Sequence, residues 1–398
     1  MKQGSTVSFQ DALERSLALT TSHPHKEWVS IFDALGRVIA DDVVCQKNLP
    51  SYNNAAMDGF AFKHKEIDKS LKIKATILAG DVIEPCLGEH ECYKIMTGAK
   101  VPLDADTIIP FEECLSYDDL CMHPSLSIKK GNALRLKGEE ENIGSIMLHS
   151  GTKLGSREIA LLASQGMSMI GVYKKLSIAI FSTGDVHKSP WEKAHEDEIY
   201  DINALALFSL LKEHGFDAHY CGVIPDNLEA ATHYFETMKQ YDVLITSGGV
   251  SMGEADFVER ALIKNGFEAA FHGINIKPGK PTMMGKMGNT IVASLPGNPL
   301  AAYVNAFVFL LPMLRKRQGH KDINSRRIKV RNYEAFKVKS GRVNLVLGLY
   351  ENNTFFVHDK NKYGSGMVKP LIKSNAVWIS HENDQNVEDG AEIEIILM

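Results

Sequence analysis

The sequence lacks most of the features that assign a chain to a specialised class of protein. Its formal net charge is −5, so there is no basic excess for binding nucleic acid. No apolar run is long enough to span a bilayer, and residues 1–6 lack the charged-then-apolar form of a signal peptide. We therefore expect neither a membrane nor a nucleic acid among its partners.

Cysteine and histidine do not occur in metal-binding patterns. None of the 6 cysteines belongs to a CxxC pair, and the 15 histidines form no HExxH motif. These absences disfavour a zinc cluster, a disulfide framework and a histidine-bound metal, and they predict reduced thiols in the cytoplasm. What remains is a globular balance of 44% hydrophobic and 23% charged residues over 398 positions, enough for two or three domains.

The order of predicted elements divides the chain into four parts. Residues 1–45 and 140–174 together predict one elongated helical domain. Residues 46–139 alternate short β-type runs with turns, which indicates a β-rich insert. Residues 175–325 repeat strand, loop and helix, a pattern typical of a doubly wound parallel α/β sheet. Residues 326–398 predict a small β domain that is closed or nearly closed, like a barrel.

Hydrophobic periodicity also predicts individual elements within these parts. The predicted helices cover residues 8–20, 156–165, 202–214 and 300–314. The predicted strands of the α/β part cover residues 176–181, 218–223, 242–246 and 290–293. The predicted strands of the insert cover residues 72–78, 91–95, 107–110 and 126–128.

Five unusual loops follow the predicted strands of the α/β part. They are Ser182–Asp185, Pro225–Asp226, Thr246–Asp256, Lys277–Pro281 and Leu295–Pro299. In doubly wound sheets, ligands bind beyond the carboxyl ends of the strands, so all five loops are expected on one rim. This convergence is the strongest purely physical signal in the sequence.

The loop Thr246–Asp256 combines a buried strand, a glycine-rich turn and the start of a helix. Free backbone N–H groups and the positive end of a helix favour phosphate at such a turn, and glycine lets the backbone approach a ligand closely. We expect the substrate to contact this loop and its neighbours on the rim, through Ser182, Thr183, Gly184, Ser247, Gly248, Gly249, Pro296 and Pro299.

Three aspartates and two lysines add charge to the same rim. Asp185, Asp226 and Asp256 are hard oxygen ligands of the kind that select Mg²⁺, whereas Lys277 and Lys280 suit an anionic ligand. An aspartate at the end of a strand also caps the next helix, and lysines in a turn are often simply solvated. On the residues alone, both interpretations stay open.

Five motifs in order resemble the molybdopterin molybdenumtransferases, the family of the MoeA proteins and the C-terminal domain of gephyrin. They are NNAAMDGFA at 53–61, IMTGAKVP at 95–102, TSGGVSMGEAD at 246–256, KPGKP at 277–281 and LPGNP at 295–299. The resemblance covers essentially the whole chain. It implies an L-shaped subunit of four parts with a MogA-like α/β domain, and a homodimer.

The resemblance also implies a reaction and its partners. Adenylated molybdopterin and molybdate are the substrates, AMP is released, and molybdenum is left on the dithiolene as molybdenum cofactor. Mg²⁺ supports cleavage of the phosphoanhydride. A MogA-type adenylyltransferase would supply the substrate, and molybdoenzyme maturation proteins would receive the product.

By motif, the resemblance assigns active-site residues in two separate parts of the chain: Asp58, Thr97, Asp226, Asp256, Lys277 and Lys280 as catalytic residues, and Pro296 and Pro299 as substrate-binding residues. The insert contributes Asp58 and Thr97, and in this family it faces the α/β rim of the other subunit. The rim contributes Asp226, Asp256, Lys277, Lys280, Pro296 and Pro299, with Asp185, Asp226 and Asp256 as the expected Mg²⁺ ligands. Glu140 stands where the family often has an aspartate.

Two positions depart from the family pattern. Val186 follows STGD where a glutamate is common, and Leu347 stands where an arginine is common. Further on, the serine-bearing stretch is less well matched around Lys369–Pro370. Three alternatives therefore accompany the transferase: a MogA-like adenylyltransferase, a gephyrin-like scaffold without catalysis, and a specialised paralogue that prefers tungstate or has reduced activity.

Overall fold

The computed structural model describes residues 6–82, 85–183, 187–224, 227–249 and 257–398. The first helix spans Phe9–Ala18 and confirms the prediction there. Ser8 caps it, because its hydroxyl accepts a hydrogen bond from the N–H of Asp11 at 3.1 Å and donates one to the carboxylate of the same residue at 2.8 Å. The helix packs on the α/β domain, where the rings of Phe9 and Phe309 lie 5.2 Å apart.

The rest of the N-terminal region joins residues on both sides of the insert. Its elements are strands Lys26–Ser30, Val43–Val44, Ile146–Leu148 and Met169–Tyr173, the 3₁₀ turn Ile31–Asp33 and helix Ser156–Ser164. Strand Lys26–Ser30 pairs antiparallel with Met169–Tyr173. Ile39, Leu162 and Val172 are buried together in its core. Where the boundaries between the four parts fall stays a prediction.

The insert contains a six-stranded sheet. In sheet order its strands are Thr107–Pro110, Gly59–Phe62, Glu91–Ile95, Leu71–Ile77, Cys121–His123 and Ser116–Tyr117. Its shorter elements are strands Asn54–Ala55 and Leu134–Arg135 and 3₁₀ turns His64–Glu66 and Phe111–Glu113. The prediction of a strand at residues 126–128 was wrong. Leu126 is exposed in a turn, while Met122 of the preceding segment is buried and draws that segment into the sheet.

The α/β domain is built on a second six-stranded sheet. In sheet order its strands are His219–Ile224, Ile178–Thr183, Val243–Ser247, Thr290–Leu295, Met283–Met287 and Phe267–His272. The first four are parallel, and the last two add an antiparallel edge. The remaining elements are strands His187–Lys188 and Ile199–Tyr200, helices Asn203–Glu213, Leu228–Thr237 and Phe257–Lys264, and the 3₁₀ turn Met238–Gln240.

Helices cover both faces of this sheet. Along strand Ile178–Thr183, Ile178 and Ile180 enter one hydrophobic core with helix Asn203–Glu213, whereas Ala179 and Phe181 enter another with helix Leu228–Thr237. Alternate residues of a strand point to opposite faces, so a strand buried on both sides has a continuous apolar run. The predicted doubly wound fold is confirmed.

One long helical stretch follows the last parallel strand. It comprises helix Pro299–Asn305, the π-helical segment Ala306–Leu310 and helix Leu311–Arg317. Pro312 explains the widened turn, since a proline has no N–H and its ring clashes with the carbonyl four residues earlier. The stretch confirms and extends the helix predicted over residues 300–314.

The C-terminal region forms a closed five-stranded barrel, as predicted. Its strands are Arg327–Asn332, Val343–Glu351, Thr354–Val357, Ala376–Ile379 and Glu392–Leu397. The ring closes because Val343–Glu351 pairs with both Thr354–Val357 and Ala376–Ile379. The other elements are strands Phe336–Lys337 and Asn386–Val387, the turn His358–Asn361 and helix Lys369–Ile372.

A short strand connects the barrel to the α/β domain. Ile276–Lys277 pairs in parallel with the start of the long barrel strand, so that Lys277 lies opposite Asn344. This pairing places the predicted KPGKP loop against the barrel. Among the described residues, no helix is long and apolar enough to cross a membrane.

Candidate active site

Three of the five predicted rim loops meet at a cavity of about 760 Å³ between the α/β sheet and the barrel. They line it through Gly248–Gly249, Lys277–Pro281 and Pro296–Asn298. Leu300 and Ala301 of the long helix lie between them. The barrel side contributes Arg342, Asn344, Leu345, Asn361, Tyr363, Gly364 and Ser365.

The cavity lies beside the point where the winding of the sheet reverses. Strand Ile178–Thr183 has His219–Ile224 on one side and Val243–Ser247 on the other. Connections from it therefore run toward opposite edges of the sheet, and a crevice opens between the strand ends. Thr183 bridges this crevice, since its hydroxyl donates a hydrogen bond to the carbonyl oxygen of Ser247 at 3.1 Å.

The glycine loop brings bare backbone to the cavity. Gly248 and Gly249 have φ angles of +86° and +65°, and a Cβ atom at position 248 would overlap the hydroxyl of Thr183. The N–H of Gly248 donates to the carbonyl of Leu295 at 3.1 Å. A Cβ atom at Gly297 would lie 3.6 Å from the Cα of Gly248. Position 248 therefore requires glycine, both for its backbone angle and for the space beside Thr183.

Buried side chains hold the loop Lys277–Pro281 in one shape. The hydroxyl of Thr282 donates to the carbonyl of Gly279 at 2.8 Å, and the amide of Asn305 donates to the carbonyl of Pro278 at 3.2 Å. Both Thr282 and Asn305 are fully buried. The backbone that carries the two lysines is therefore set by the interior of the domain.

The charge of the cavity is positive. The side chains of Lys277 and Lys280 are exposed, and neither ammonium group has an ion-pair or hydrogen-bond partner within the described residues. The described residues that line the cavity include no aspartate or glutamate. Like charges in a shared cavity repel one another, and a bound anion relieves that repulsion.

Four of the predicted substrate contacts are not among the residues that line the cavity: Ser182, Thr183, Ser247 and Pro299. Ser182 is buried and donates a hydrogen bond to the carboxylate of Asp201, which also accepts from the N–H of Ala204 at 3.2 Å at the start of a helix. Pro299 is the first residue of the long helical stretch, where its missing N–H leaves no hydrogen bond unmade.

Sequence reasoning missed Asn203, which joins two of the rim loops. Its side-chain amide donates to the hydroxyl of Ser247 at 2.8 Å and to the carbonyl of Gly297 at 2.7 Å. Its Oδ1 atom is buried and has no partner within the described residues. The sequence shows only an asparagine at the start of a predicted helix. Asparagine is also common as a helix cap, so this position alone does not indicate a site residue.

Asp58 and Thr97 of the insert lie in contact, as neighbouring motifs of one surface. The carboxylate of Asp58 accepts hydrogen bonds from the hydroxyl and from the backbone N–H of Thr97, each at 2.7 Å. These two hydrogen bonds, the hydroxyl's first, hold the pKa of Asp58 below its usual value. Both residues are exposed.

No described residue of the insert lines the cavity of its own chain. The described residues that line the cavity all belong to the α/β domain or the barrel. Glu140, at the edge of the insert, forms an ion pair with Arg135 at 2.7 Å. One subunit therefore presents two separate groups of predicted site residues.

The barrel wall of the cavity was also missed by sequence reasoning. It follows a turn in which Asp359, Lys360 and Asn361 all have positive φ angles, between 44° and 63°. Each such residue other than glycine costs about 1–2 kcal/mol, and conformations of this kind persist where the surrounding structure enforces them. The amide of Asn298 then donates to the hydroxyl of Ser365 at 2.9 Å and ties this wall to the LPGNP loop.

Leu347, one of the two departures from the family pattern, points into the hydrophobic core and not into the cavity. It is fully buried, and its N–H donates to the hydroxyl of Tyr363 at 2.7 Å. Burial raises the pKa of Tyr363 to about 12, so that this hydroxyl stays protonated at neutral pH. The side chain at position 347 therefore gives the cavity no charge.

The predicted metal ligands lie outside the described residues. Three rim segments fall outside the described residues. They contain Gly184, Asp185 and Val186 in the first, Asp226 in the second and Asp256 in the third. Among the residues that it does describe, no group of three histidine, cysteine, aspartate or glutamate side chains is arranged to hold a metal ion.

A second cleft, of about 830 Å³, lies between the first helix and the barrel. Its lining is acidic, with Glu382, Asp384, Glu388, Glu392 and Glu394, and it contains none of the five motifs. Arg327 neutralises Glu394 there at 3.1 Å. Since an acidic cleft repels oxyanions, the cavity with the two lysines is the candidate active site.

Comparison with protein-family models matches two regions of the chain. Residues 7–166 match the MoeA N-terminal region (domain I and II), and residues 179–316 match a probable molybdopterin binding domain. The chain is 31% identical over 380 residues to the molybdopterin molybdenumtransferase of Haemophilus influenzae, covering 93% of both chains. It is 28% identical to that of Nostoc sp., covering 94% of this chain and 89% of the relative.

Solved structures agree with this assignment. A structure of the molybdopterin biosynthesis MoeA protein from Pyrococcus horikoshii superposes with a TM-score of 0.83 at 27% identity, covering 99% of both chains. Another structure of a molybdopterin biosynthesis MoeA protein, from Pyrococcus horikoshii OT3, gives a TM-score of 0.87 at 24% identity and supports the fold. The five motifs, the four-part architecture and a full-length relative above 30% identity lead to one conclusion: the chain belongs to the molybdopterin molybdenumtransferase family.

Proposed function

We propose that the chain inserts molybdenum from molybdate into adenylated molybdopterin and releases AMP. One observation carries the proposal: a single cavity is lined by a glycine loop with exposed backbone and by two lysines without ion-pair partners in the described part of the chain. Such a cavity suits a substrate with phosphate groups together with a second oxyanion. The names of the relatives support the same chemistry.

The residues of the rim have distinct tasks in this reaction. The backbone at Gly248 and Gly249 lies where it can approach the phosphates of the adenylated substrate. Lys277 and Lys280 attract molybdate and offset the negative charge that develops as AMP leaves. Because buried hydrogen bonds fix the loop that carries them, the lysines need little rearrangement during the reaction.

The proposal includes Mg²⁺, bound by Asp185, Asp226 and Asp256. A divalent ion would screen the pyrophosphate charge and polarise the bond that breaks. These three carboxylates lie outside the described residues, and the described residues alone do not provide a metal site. The glycine loop and the two lysines act through their own backbone and charge, and their tasks do not depend on the position of the ion.

We further propose that the active form is a homodimer in which Asp58 and Thr97 of one subunit face the cavity of the other. Two observations support this arrangement. The insert does not line the cavity of its own subunit, and Trp28, Phe32 and Leu35 expose 63%, 93% and 65% of their surface on the N-terminal region. Exposed apolar side chains that cluster in sequence are typical of protein–protein interfaces.

The proposed partners follow from the reaction. A MogA-type adenylyltransferase would deliver adenylated molybdopterin, and molybdoenzyme maturation proteins would receive the finished cofactor. All six cysteines are free thiols, which supports the expected cytoplasmic location.

The test is incubation of the purified chain with adenylated molybdopterin, Mg²⁺ and either molybdate or tungstate, followed by measurement of AMP. Release of AMP that depends on molybdate supports the transferase. Substrate binding without AMP release would contradict it and favour the scaffold. Faster turnover with tungstate than with molybdate would replace it by the tungstate-specific paralogue.

A further inference from the structure

Arg342 is the third cation of the cavity, and the barrel holds its backbone in place. The residue directly precedes the long barrel strand, whose first two residues, Val343 and Asn344, pair with Ile276 and Lys277. The N–H of the adjacent Gly341 donates to the carbonyl of Glu382 at 2.7 Å. The carbonyl of Gly341 accepts from the amide of Asn275 at 2.9 Å. Arg342 therefore extends from a fixed point on the wall opposite the α/β rim.

The guanidinium group of Arg342 has no partner that explains its position. Its Nε atom is buried and makes no hydrogen bond, and the side chain forms no ion pair with any described residue. Buried donors in folded proteins are nearly always paired, and an unpaired charged donor is costly. Arg342 lines the cavity, and the terminal nitrogens of its guanidinium group also have no partner among the described residues, so a ligand in the cavity can accept hydrogen bonds from them.

No described side chain in the lining of the cavity carries a charge opposite to that of Arg342. The described lining contains no carboxylate, so Arg342, Lys277 and Lys280 share one cavity without an opposing charge. The side-chain oxygen of Asn344 already accepts from the N–H of Lys339 at 3.3 Å. Its amide donates to the carbonyls of Lys339 and Arg342 and to the hydroxyl of Ser380. An anionic ligand would provide the negative charge that the described lining lacks.

We propose that Arg342 binds the oxyanion substrate of the cavity and holds it between the barrel and the two lysines. A guanidinium group presents its donors in a planar fork that fits two oxygens of one oxyanion, whereas each lysine acts as a point charge. A tetrahedral dianion has enough oxygens for all three cations. The inference rests on the proposed function, because molybdate is the dianion that this function brings to the cavity.

The test is isothermal titration of sodium molybdate into the full-length chain and its Arg342→Met variant. Methionine keeps an unbranched apolar stem and removes the charge. We expect the dissociation constant to rise about tenfold or more, as is usual for the loss of a hydrogen bond to a charged group. Arg331→Met is the matched control, since Arg331 is exposed on another barrel strand, and it should leave the affinity unchanged.

Two further variants separate this inference from the proposed function. Arg342→Lys restores the charge without the fork, and its affinity should fall between those of the wild type and Arg342→Met. Lys277→Met reports on the cavity itself. If Lys277→Met weakens molybdate binding while both Arg342 variants bind like the wild type, the role of Arg342 is wrong and the proposed function stands.

If the wild-type chain binds no molybdate, both the role of Arg342 and the proposed function are wrong. The melting temperature without molybdate identifies a variant that has lost its fold, and in that case the comparison rests on Arg342→Lys. A stabilisation of the wild type by molybdate that Arg342→Met lacks, at equal melting temperatures without ligand, would confirm the inference independently.

Discussion

The side chain of Asn305 occupies the space that a side chain at position 279 would need. Its amide lies against Gly279, which has a φ angle of +105°, and donates hydrogen bonds to the carbonyls of Pro278 and Ala301 at 3.2 and 2.7 Å. A residue of the long buried helix thus shapes the loop that carries both lysines. Any larger residue at position 279 must displace this amide or the loop.

Gly279→Ala should therefore damage both stability and oxyanion binding. We expect it to lower the free energy of unfolding by about 2–4 kcal/mol, because it combines steric overlap with a left-handed backbone that alanine disfavours. The displaced loop moves Lys277 and Lys280 from their positions, so that molybdate binds more weakly. Chemical denaturation and isothermal titration measure the two effects.

Gly390→Ala is the matched control for this substitution. Gly390 also has a positive φ angle, of 73°, but a Cβ atom there meets no neighbour. It should show only the backbone effect, about 1–2 kcal/mol, with no change in molybdate affinity. If Gly279→Ala behaved like Gly390→Ala in both measurements, the contact with Asn305 would have no role in shaping the loop.

Replacement of the two lysines should reduce catalysis far more than stability. Lys277→Met and Lys280→Met each remove an unpaired, exposed cation from the cavity, and we expect AMP release to fall about 10²–10³-fold. Melting temperatures should change little, since neither ammonium has an ion pair to lose within the described residues. Lys264→Met, an exposed lysine at the end of another helix, is the control and should keep wild-type turnover.

The rim of the α/β sheet could be predicted because its signals are local. A buried strand followed by glycine, as at Val243–Gly249, indicates a turn at the carboxyl end of a parallel strand whatever the rest of the chain does. Thr183 and Gly248 were placed on one rim from this pattern alone, and the structure brings them into contact. The same reasoning predicted a strand at residues 176–181 in a doubly wound sheet, and Ile178–Phe181 is buried on both sides.

The barrel wall could not be predicted, because it depends on pairing between distant segments. Ile276–Lys277 joins the barrel through hydrogen bonds to Val343–Asn344, and no periodicity in either segment specifies its partner. In the sequence alone, nothing distinguishes Arg342 and Ser365 from ordinary turn residues. Leu347 illustrates the opposite error: the family pattern marked its position as functional, and here its side chain is in the core.

Thr97→Val should raise the pKa of Asp58. The hydroxyl of Thr97 is the largest cause of the lowered pKa, and valine removes it while the backbone N–H remains. In the wild type the carboxylate therefore stays ionised to lower pH than a free aspartate, and its stabilising contribution is lost as pH falls through the lowered pKa. Carbon-detected NMR titration of the Asp58 carboxyl group measures the shift.

Asp118 provides an internal control in the same titration. Backbone N–H groups of Leu120 and Cys121 hold its pKa below the usual value, and no contact with Thr97 contributes. Its titration should be the same in the wild type and in Thr97→Val. An unchanged pKa of Asp58 in the variant would contradict the role assigned to the Thr97 hydroxyl.

Two histidines where the α/β domain meets the N-terminal region should make stability depend on pH. Burial, and then the charges of Arg315 and Lys153, lower the pKa values of His214 and His320 to about 4. Between about pH 4 and 6.5 the unfolded chain binds protons at these sites that the folded chain does not, so stability falls as pH decreases through this range.

Replacement of both histidines by glutamine should reduce this dependence. We expect the wild-type melting temperature to fall between about pH 7.5 and pH 5, and the double variant to lose part of that fall. His195→Gln, at an exposed site, is the control and should follow the wild type. A double variant with the same pH dependence as the wild type would show that other groups are responsible.

Complementation between inactive variants tests whether two subunits share each active site. Asp58→Ala removes the insert's carboxylate, and Lys277→Ala removes a cation of the cavity, so each homodimer should be inactive. In a mixed dimer, one of the two sites combines an intact insert with an intact cavity. Since half of randomly reassorted dimers are mixed, co-refolding or co-expression should restore about a quarter of wild-type AMP release.

The control places both substitutions in one chain. This double variant is mixed with wild-type chains. If the sites are shared, a mixed dimer has no intact site, because one of its sites lacks the carboxylate of Asp58 and the other lacks Lys277. If the sites were instead formed within one subunit, the mixed dimers would keep one working site, and mixing the two single variants would restore nothing. The two designs thus predict opposite results, and the separation of Asp58 from the cavity within one subunit favours the shared arrangement.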